Sequence, residues 1–284
     1  MANAQEPSIS DALRYSVENL NGTARFRAMG GAFGSIGGDM SAMNINPAGS
    51  SIFNFNQATI SLSSFNKSNN ANYFGTSNKT NENSLDINQL GADFAFNDNN
   101  SKRGWKKSAL GLNYENANNF DDFIISQGVN PYNSMDNYFL NYANANPPYW
   151  DGIPLGYLNN VSYQDASFID QQALLGYQSY ILSPFDKNND LNADYYSNVP
   201  TGGNYYHKNT IQAKGYNGKF TANFSGAYQD KLYVGMNMNF HFTDYVRTSS
   251  LYETNNNPVA NTPNNYAITA ARFNNELYTY GSGF

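Results

Sequence analysis

Asp186, Asn188, Asp190, Asn192 and Asp194 place an oxygen-bearing side chain at every second position of one short run. Hard cations such as calcium take about six to eight oxygen ligands, often from runs of this kind. Asp186, Asn188 and Asp190 are therefore candidate calcium ligands. A complete helix–loop–helix calcium loop would carry Gly at 191 and Glu at 197. The sequence has Leu191 and Ser197 there, so a solvated Asn/Asp-rich turn is the alternative. No other cofactor is implied. The chain has two histidines, His207 and His241, and no cysteine. Disulfides, thiolate metal sites, cysteine nucleophiles and a histidine-rich centre are excluded. No nucleophile–base spacing emerges either, and the chain does not read as an enzyme.

Lys102, Arg103, Lys106 and Lys107 form the one basic run, and they flank a predicted turn. The net charge is −6 and the pI near 4.8. Phosphate binding needs a surplus of Lys and Arg on one face, so nucleic acid is not an expected partner. The glycines of Thr23–Gly34 (TARFRAMGGAFG) do not make G-x-G-x-x-G, and no strand precedes them. They read as permission for tight backbone turns rather than as a dinucleotide loop.

The elements that must position these residues are strands. Charged residues are only 13% of the chain, while 48 Asn, 23 Tyr, 23 Gly and 19 Phe supply much of the rest. Disorder pairs high charge with few aromatics, and no stretch approaches the ~20 apolar residues of a spanning helix. Strict alternation recurs instead. In Leu232–Thr243, residues Leu232, Val234, Met236, Met238, Phe240 and Phe242 share one face. That run matches the ~9–11 residues of a tilted membrane strand. The same period appears at 58–63, 89–96, 109–114 and 220–228, and more weakly at 266–280.

The predicted connections alternate in length: Asn66–Ser84 long, Asn97–Trp105 short, Phe120–His207 very long, Gln229-Asp230 a two-residue hairpin, Val246–Asn265 long. Long loops outside and short turns in the periplasm mark outer-membrane barrels. Small uncharged polar faces and aromatics near strand ends agree with this. The chain is expected to be all-β, an antiparallel transmembrane β-barrel. Within the long segment, 165–182 is expected to hold a helix. Ala2-Asn3-Ala4 before Gln5 has the shape of a cleavage site, and the chain reads as an exported bacterial outer-membrane protein.

The run Arg-Ala-x-Gly-Gly-Ala, an acidic residue about ten positions on, and Asn-Pro-Ala-Gly before the first strand resemble the FadL/TodX-type outer-membrane transporters. The spelling TARFRAMGGAFGSIGGDMSAMNINPAG resembles the branch found in Bacteroidetes-type bacteria. The resemblance implies a fourteen-stranded barrel with an N-terminal hatch, residues 1–50, inside its lumen. Residues 51–284 would be the barrel wall, with a long extracellular loop at about 120–207. It implies passive transport of hydrophobic compounds, long-chain fatty acids or aromatic hydrocarbons, released sideways into outer-membrane lipid by a monomeric barrel. Gly30, Gly31, Asn46, Pro47, Ala48 and Gly49 would form the hatch motif. Asn46 would hold its turn by side-chain bonds and Pro47 would fix it. Arg25, Arg27 and Phe33 are lumen candidates for a ligand; a guanidinium binds a carboxylate bidentately. Alternatively both arginines pair with wall carboxylates such as Asp93 and Glu115.

Only five or six strands are visible where the resemblance implies fourteen, so the chain is expected to be a fragment lacking C-terminal strands, or else several chains complete one barrel. Two other functions fit parts of the pattern. Some relatives of this barrel hold protein cargo for a secretion system, with 120–207 as the binding surface. A soluble carbohydrate-binding β-sandwich would also use Asn and aromatics.

Overall fold

The computed structural model describes residues 13–14, 16–17, 19–98, 104–144 and 151–256, and the backbone alone of 270–283. Lys102, Arg103 and the Ala2-Asn3-Ala4-Gln5 run lie outside the described residues. One antiparallel sheet dominates. Its strands are β1 (Gln57–Tyr73), β2 (Thr76–Asn97), β3 (Trp105–Asn119), β4 (Asp122–Asn130), β7 (Tyr205–Tyr228), β8 (Leu232–Asn255) and β9 (Ala270–Gly283). The order is β1-β2-β3-β7-β8-β9. β4 continues the line of β3 along the same edge of β7: β3 pairs with 216–228 and β4 with 205–213. The sheet is open, with β1 and β9 at its edges among the described residues.

The strands are much longer than their apolar alternation. Asn66–Ser84, expected as a long loop, is laddered hairpin throughout: Asn66 pairs with Asn83 and Tyr73 with Thr76. Only Phe74 and Gly75 turn, at φ 44° and 82°, as a two-residue hairpin with both residues left-handed demands. This corrects the expected long–short–long regularity at its first step, and at its last, where 246–255 of the expected loop belong to β8. The physical reason is that Asn, Ser, Lys and Thr alternate with one another here, so the strand has no apolar face to betray its period. The β7–β8 turn is also one residue longer than expected. Tyr228 pairs with Leu232, and Gln229 and Asp230 both adopt positive φ.

One extra residue sits in β2. Ser61 pairs with Gln89 but Leu62 with Ile87, which leaves Asn88 as a bulge. Leu85 and Ile87 are exposed on one side of it, Leu90, Phe94 and Phe96 on the other. The outward parity therefore switches from odd to even, and the apolar residues stay on one face.

That face carries Ile60, Leu62, Phe94, Phe224, Val234, Met236 and Met238, all exposed. The opposite face carries Gln89, Asp93, Asn113, Thr221 and Asn223, all buried. The N-terminal segment covers the polar face. It comprises α1 (Ala24–Ala28) and two 3₁₀ turns, Ser41–Asn44 and Pro47–Ile52. Wall glycines let it approach. A Cβ on Gly235 would lie 2.3 Å from the Pro47 carbonyl carbon, and one on Gly111 would lie 2.6 Å from Met43 Cε.

Between β4 and β7 the chain builds a cap, residues 131–204, from α2 (Asp136–Asn144), α3 (Leu155–Asn160), α4 (Phe168–Gln178) and the short hairpin β5–β6 (Leu182–Pro184, Tyr195–Ser197). The expected helix within 165–182 is α4, which Ser167 caps by accepting from the Asp170 amide at 3.2 Å. Phe139, Leu158, Leu174, Leu182, Tyr195 and Tyr205 form a shared apolar core. The cap holds seven aspartates against one lysine, so it accounts for the chain's whole net charge of −6.

Candidate functional site

The N-terminal segment is held by a polar seam to the wall. Asn223 Nδ2 donates to Pro47 O at 2.9 Å, Asn237 Nδ2 to Met43 O at 2.6 Å, and Asn44 Nδ2 to Glu115 Oε2 at 2.6 Å. Ser50 bonds Asn223 and Ser225, and Asn88 donates to Gly22 O. Inside the segment, Asp39 accepts from Thr23 Oγ1 with both oxygens at 2.8 Å and from the Ser41 amide at 3.0 Å. Thr23 caps α1 in turn. The Asn46-Pro47 turn has the geometry its residues suggest. Asn46 Oδ1 accepts from Ala48 N at 3.1 Å, its amide donates to Gly34 O at 2.8 Å, and Pro47 opens the 3₁₀ turn. Gly49 packs with its Cα against Gly37, where a Cβ would be 2.9 Å from Gly37 Cα. Gly30 and Gly31 turn the chain after α1 at φ 62° and 74°.

A cleft of about 440 Å³ opens between this segment and the wall. Leu20, Phe26, Ile45 and Ala117 line it with apolar surface, and Glu115, Lys219, Asn239 and His241 with polar groups. Lys219 and His241 are cross-strand partners on β7 and β8. Lys219 Nζ lies 3.8 Å from Glu115 Oε2, both side chains nearly buried. Such a cleft can hold an elongated apolar molecule and meet a polar end with a cation or a carboxylate.

The residues expected to face a ligand lie elsewhere. Phe33 is fully buried with Phe26 and Ala42 in the core of the N-terminal segment, and it does not line the cleft. Arg25 stacks over the Phe33 ring at 5.2 Å. Arg27 donates to Ser63 Oγ at 2.8 Å. The wall carboxylates are dressed differently from the alternative expectation. Glu115 accepts from Asn44 and Asn113 and pairs with Lys219. Asp93 is fully buried with neither carboxylate oxygen hydrogen-bonded. Lys219 is the residue that sequence reasoning missed. Its odd number puts it on the face of Thr221 and Asn223, and that parity was the available signal.

In the oxygen run at 186–194 the side-chain oxygens bond nearby backbone amides. Asp186 Oδ1 accepts from the Asn188 amide at 3.0 Å, and Asn189 Oδ1 from the Leu191 amide at 3.0 Å. No group of three or more His, Cys, Asp or Glu among the described residues could hold a metal ion. The described half of the basic run is bound locally, Lys106 to Asp230 at 3.0 Å and Lys107 to Asn54 at 2.7 Å.

A second polar centre lies where the cap meets the sheet. His207 Nε2 bonds Glu253 Oε2 at 2.5 Å and Nδ1 bonds Tyr73 Oη at 2.7 Å. Glu253 also accepts from Ser134 Oγ at 2.6 Å and the Met135 amide at 2.8 Å. Burial alone would push the Glu253 carboxyl up, but the bonds from His207, Ser134 and Met135 prevail and hold it below the usual carboxylate range.

No protein-family model, curated protein or solved structure matches this chain.

Proposed function

We propose that this chain forms part of an outer-membrane β-barrel that passes hydrophobic compounds, with the N-terminal segment as the hatch in its lumen. One observation carries the reading: the wall is dressed inside out. Its apolar face is exposed and its polar face is buried beneath the N-terminal segment. Contiguous exposed apolar surface beyond a few hundred Å² marks a membrane or protein contact, and lipid is the solvent in which such a face is stable. No second sheet covers this face among the described residues, which weighs against the carbohydrate-binding sandwich. The open edges of β1 and β9 would have to be closed by further strands, since lipid satisfies no backbone donors or acceptors.

On this reading the cleft beside Phe26 and Ile45 is the ligand's passage, and long-chain fatty acids or aromatic hydrocarbons are the expected cargo. Lys219 and His241, rather than Arg25, would meet an acidic head group. Barrel protein reconstituted in liposomes should speed fatty-acid or aromatic-hydrocarbon uptake over empty liposomes; equal rates reject transport. Extraction from cells without detergent would reject the membrane barrel itself.

The cap supports a second reading, a barrel that holds protein cargo. It folds around its own core and concentrates the net charge of −6. Stoichiometric protein, rather than lipid, co-purifying from outer membranes would favour that reading.

A further inference from the structure

The far half of the β1–β2 hairpin is attached to the molecule differently from the near half. From Gln89 to Asn97, β2 is laddered to β3. Beyond Gln89 it has no ladder partner on that side among the described residues, although β4 packs beside it. Side chains make the link instead. Asn69 Nδ2 donates to Asp122 Oδ1 at 2.6 Å, and Thr80 Oγ1 to Phe123 O at 2.6 Å. The amides of Asn78 and Gln127 meet at 3.1 Å, and Lys67 Nζ reaches the Asp121 carbonyl at 2.7 Å. The ladder stops where the Asn88 bulge bends the strand. Beside that point a hollow of about 240 Å³ lies between Asp86 and Tyr216 and Asp244 of the wall, bridged by side chains alone, Lys214 to Glu82 and Asn119 to Asp86 and Ser84. At the hairpin tip, Tyr73 bonds His207, which is itself anchored by Glu253.

We propose that residues 64–87 form a gate that hinges at the Asn88 bulge, closes on β4 through side-chain bonds, and is latched at its tip by Tyr73 on His207. A backbone ladder opens cooperatively, whereas bonds between polar side chains exchange with water one at a time. The seam along β4 can therefore part without breaking a backbone ladder. The Tyr73 hydroxyl, which also accepts from Asn130, and the Phe74 ring against Tyr132 cross the latch, while His207, Glu253 and Ser134 remain with the wall and the cap when the hairpin leaves. Opening frees a polar-lined slot between β2 and β4. That the slot admits ligand to the lumen rests on the transport reading; the motion itself does not.

The absence of native cysteine gives a direct test on the full chain. Asn72→Cys on the hairpin and Val129→Cys on β4 would be its only thiols, and both positions are exposed. Nitroxide labels there should give one short, narrow distance distribution in electron–electron resonance. Tyr73→Phe keeps the ring and removes the latch hydroxyl. It should raise a longer-distance population roughly fivefold or more, the effect of one lost hydrogen bond. His207→Gln should do the same. Distributions unchanged in both variants would overturn the gate and make the hairpin a fixed part of the wall. A shifted distribution in protein that fails the liposome assay would leave the gate standing and remove the transport reading.

Discussion

The wall and the cap solve opposite problems with the same chain. In the cap, Phe139, Leu158 and Leu174 are buried, while every aspartate but Asp170 is exposed or half-buried, and Asp170 accepts from Ser167 and Tyr157. In the wall, Leu62, Phe224 and Met236 are exposed, while Gln89, Asn113 and Asn223 are sealed beneath the N-terminal segment. The cap buries apolar groups. The wall buries polar ones, mated mostly by amides and hydroxyls, with the Glu115–Lys219 ion pair and the unbonded Asp93 as exceptions. The difference teaches that burial means two things here: exclusion of water in the cap, and polar mating of plug to wall in the sheet.

Substitutions can break or sharpen that contrast. The largest effect is expected in the cap, where Phe139→Ala should cost about 3–5 kcal/mol of the cap's stability, seen as loss of amide protection confined to α2–α4. Met236→Arg places a charge on the exposed wall face and should cost about 2–4 kcal/mol for folding in a bilayer if the site lies near its midplane. Vesicle-folding titrations that show no penalty would remove lipid as the solvent of that face. Glu253 tests the junction between the two regions. Its folded carboxyl is held below the ordinary value of 4.5, so its contribution is complete above that value and is lost as the pH falls below it. The cap should loosen in acid as this carboxylate is protonated, and Glu253→Gln should abolish the acid dependence of amide exchange at Ser134–Asn144. The smallest effect is expected from Gly235→Val, whose Cβ would collide with the Pro47 backbone. Overpacking of about 1–3 kcal/mol should undock the N-terminal segment and expose it to limited proteolysis while the strands stay protected.

The sequence was legible where apolar residues alternate. Leu232–Thr243 announced β8, and parity alone put Thr221 and Asn223 on the polar face. The motif at Asn46-Pro47 announced its own turn, because both residues act locally. The far halves of β1 and β2 were illegible, since strands with two polar faces carry no hydrophobic period and Asn-rich runs imitate loops. β4 was hidden for a related reason: it follows a break at Phe120-Asp121 and sits inside a long unpatterned segment. The cleft was half legible. Glu115 and His241 stood on the inner faces of their strands, but the pairing of Glu115 with Lys219 arises only from the β3–β7 register.

The bulge at Asn88 has a consequence for how this chain can vary over generations. Each wall strand sorts its side chains to two faces by odd and even position, so losing or gaining one codon turns every later side chain of that strand to the other side. Asn88 is one such extra residue, accommodated because the outward pattern on β2 changes from Leu85 and Ile87 to Leu90, Phe94 and Phe96 at that residue. Length changes in the wall should therefore be inherited in pairs, or singly where a compensating shift of pattern accompanies them, while the cap and the turns drift in length freely.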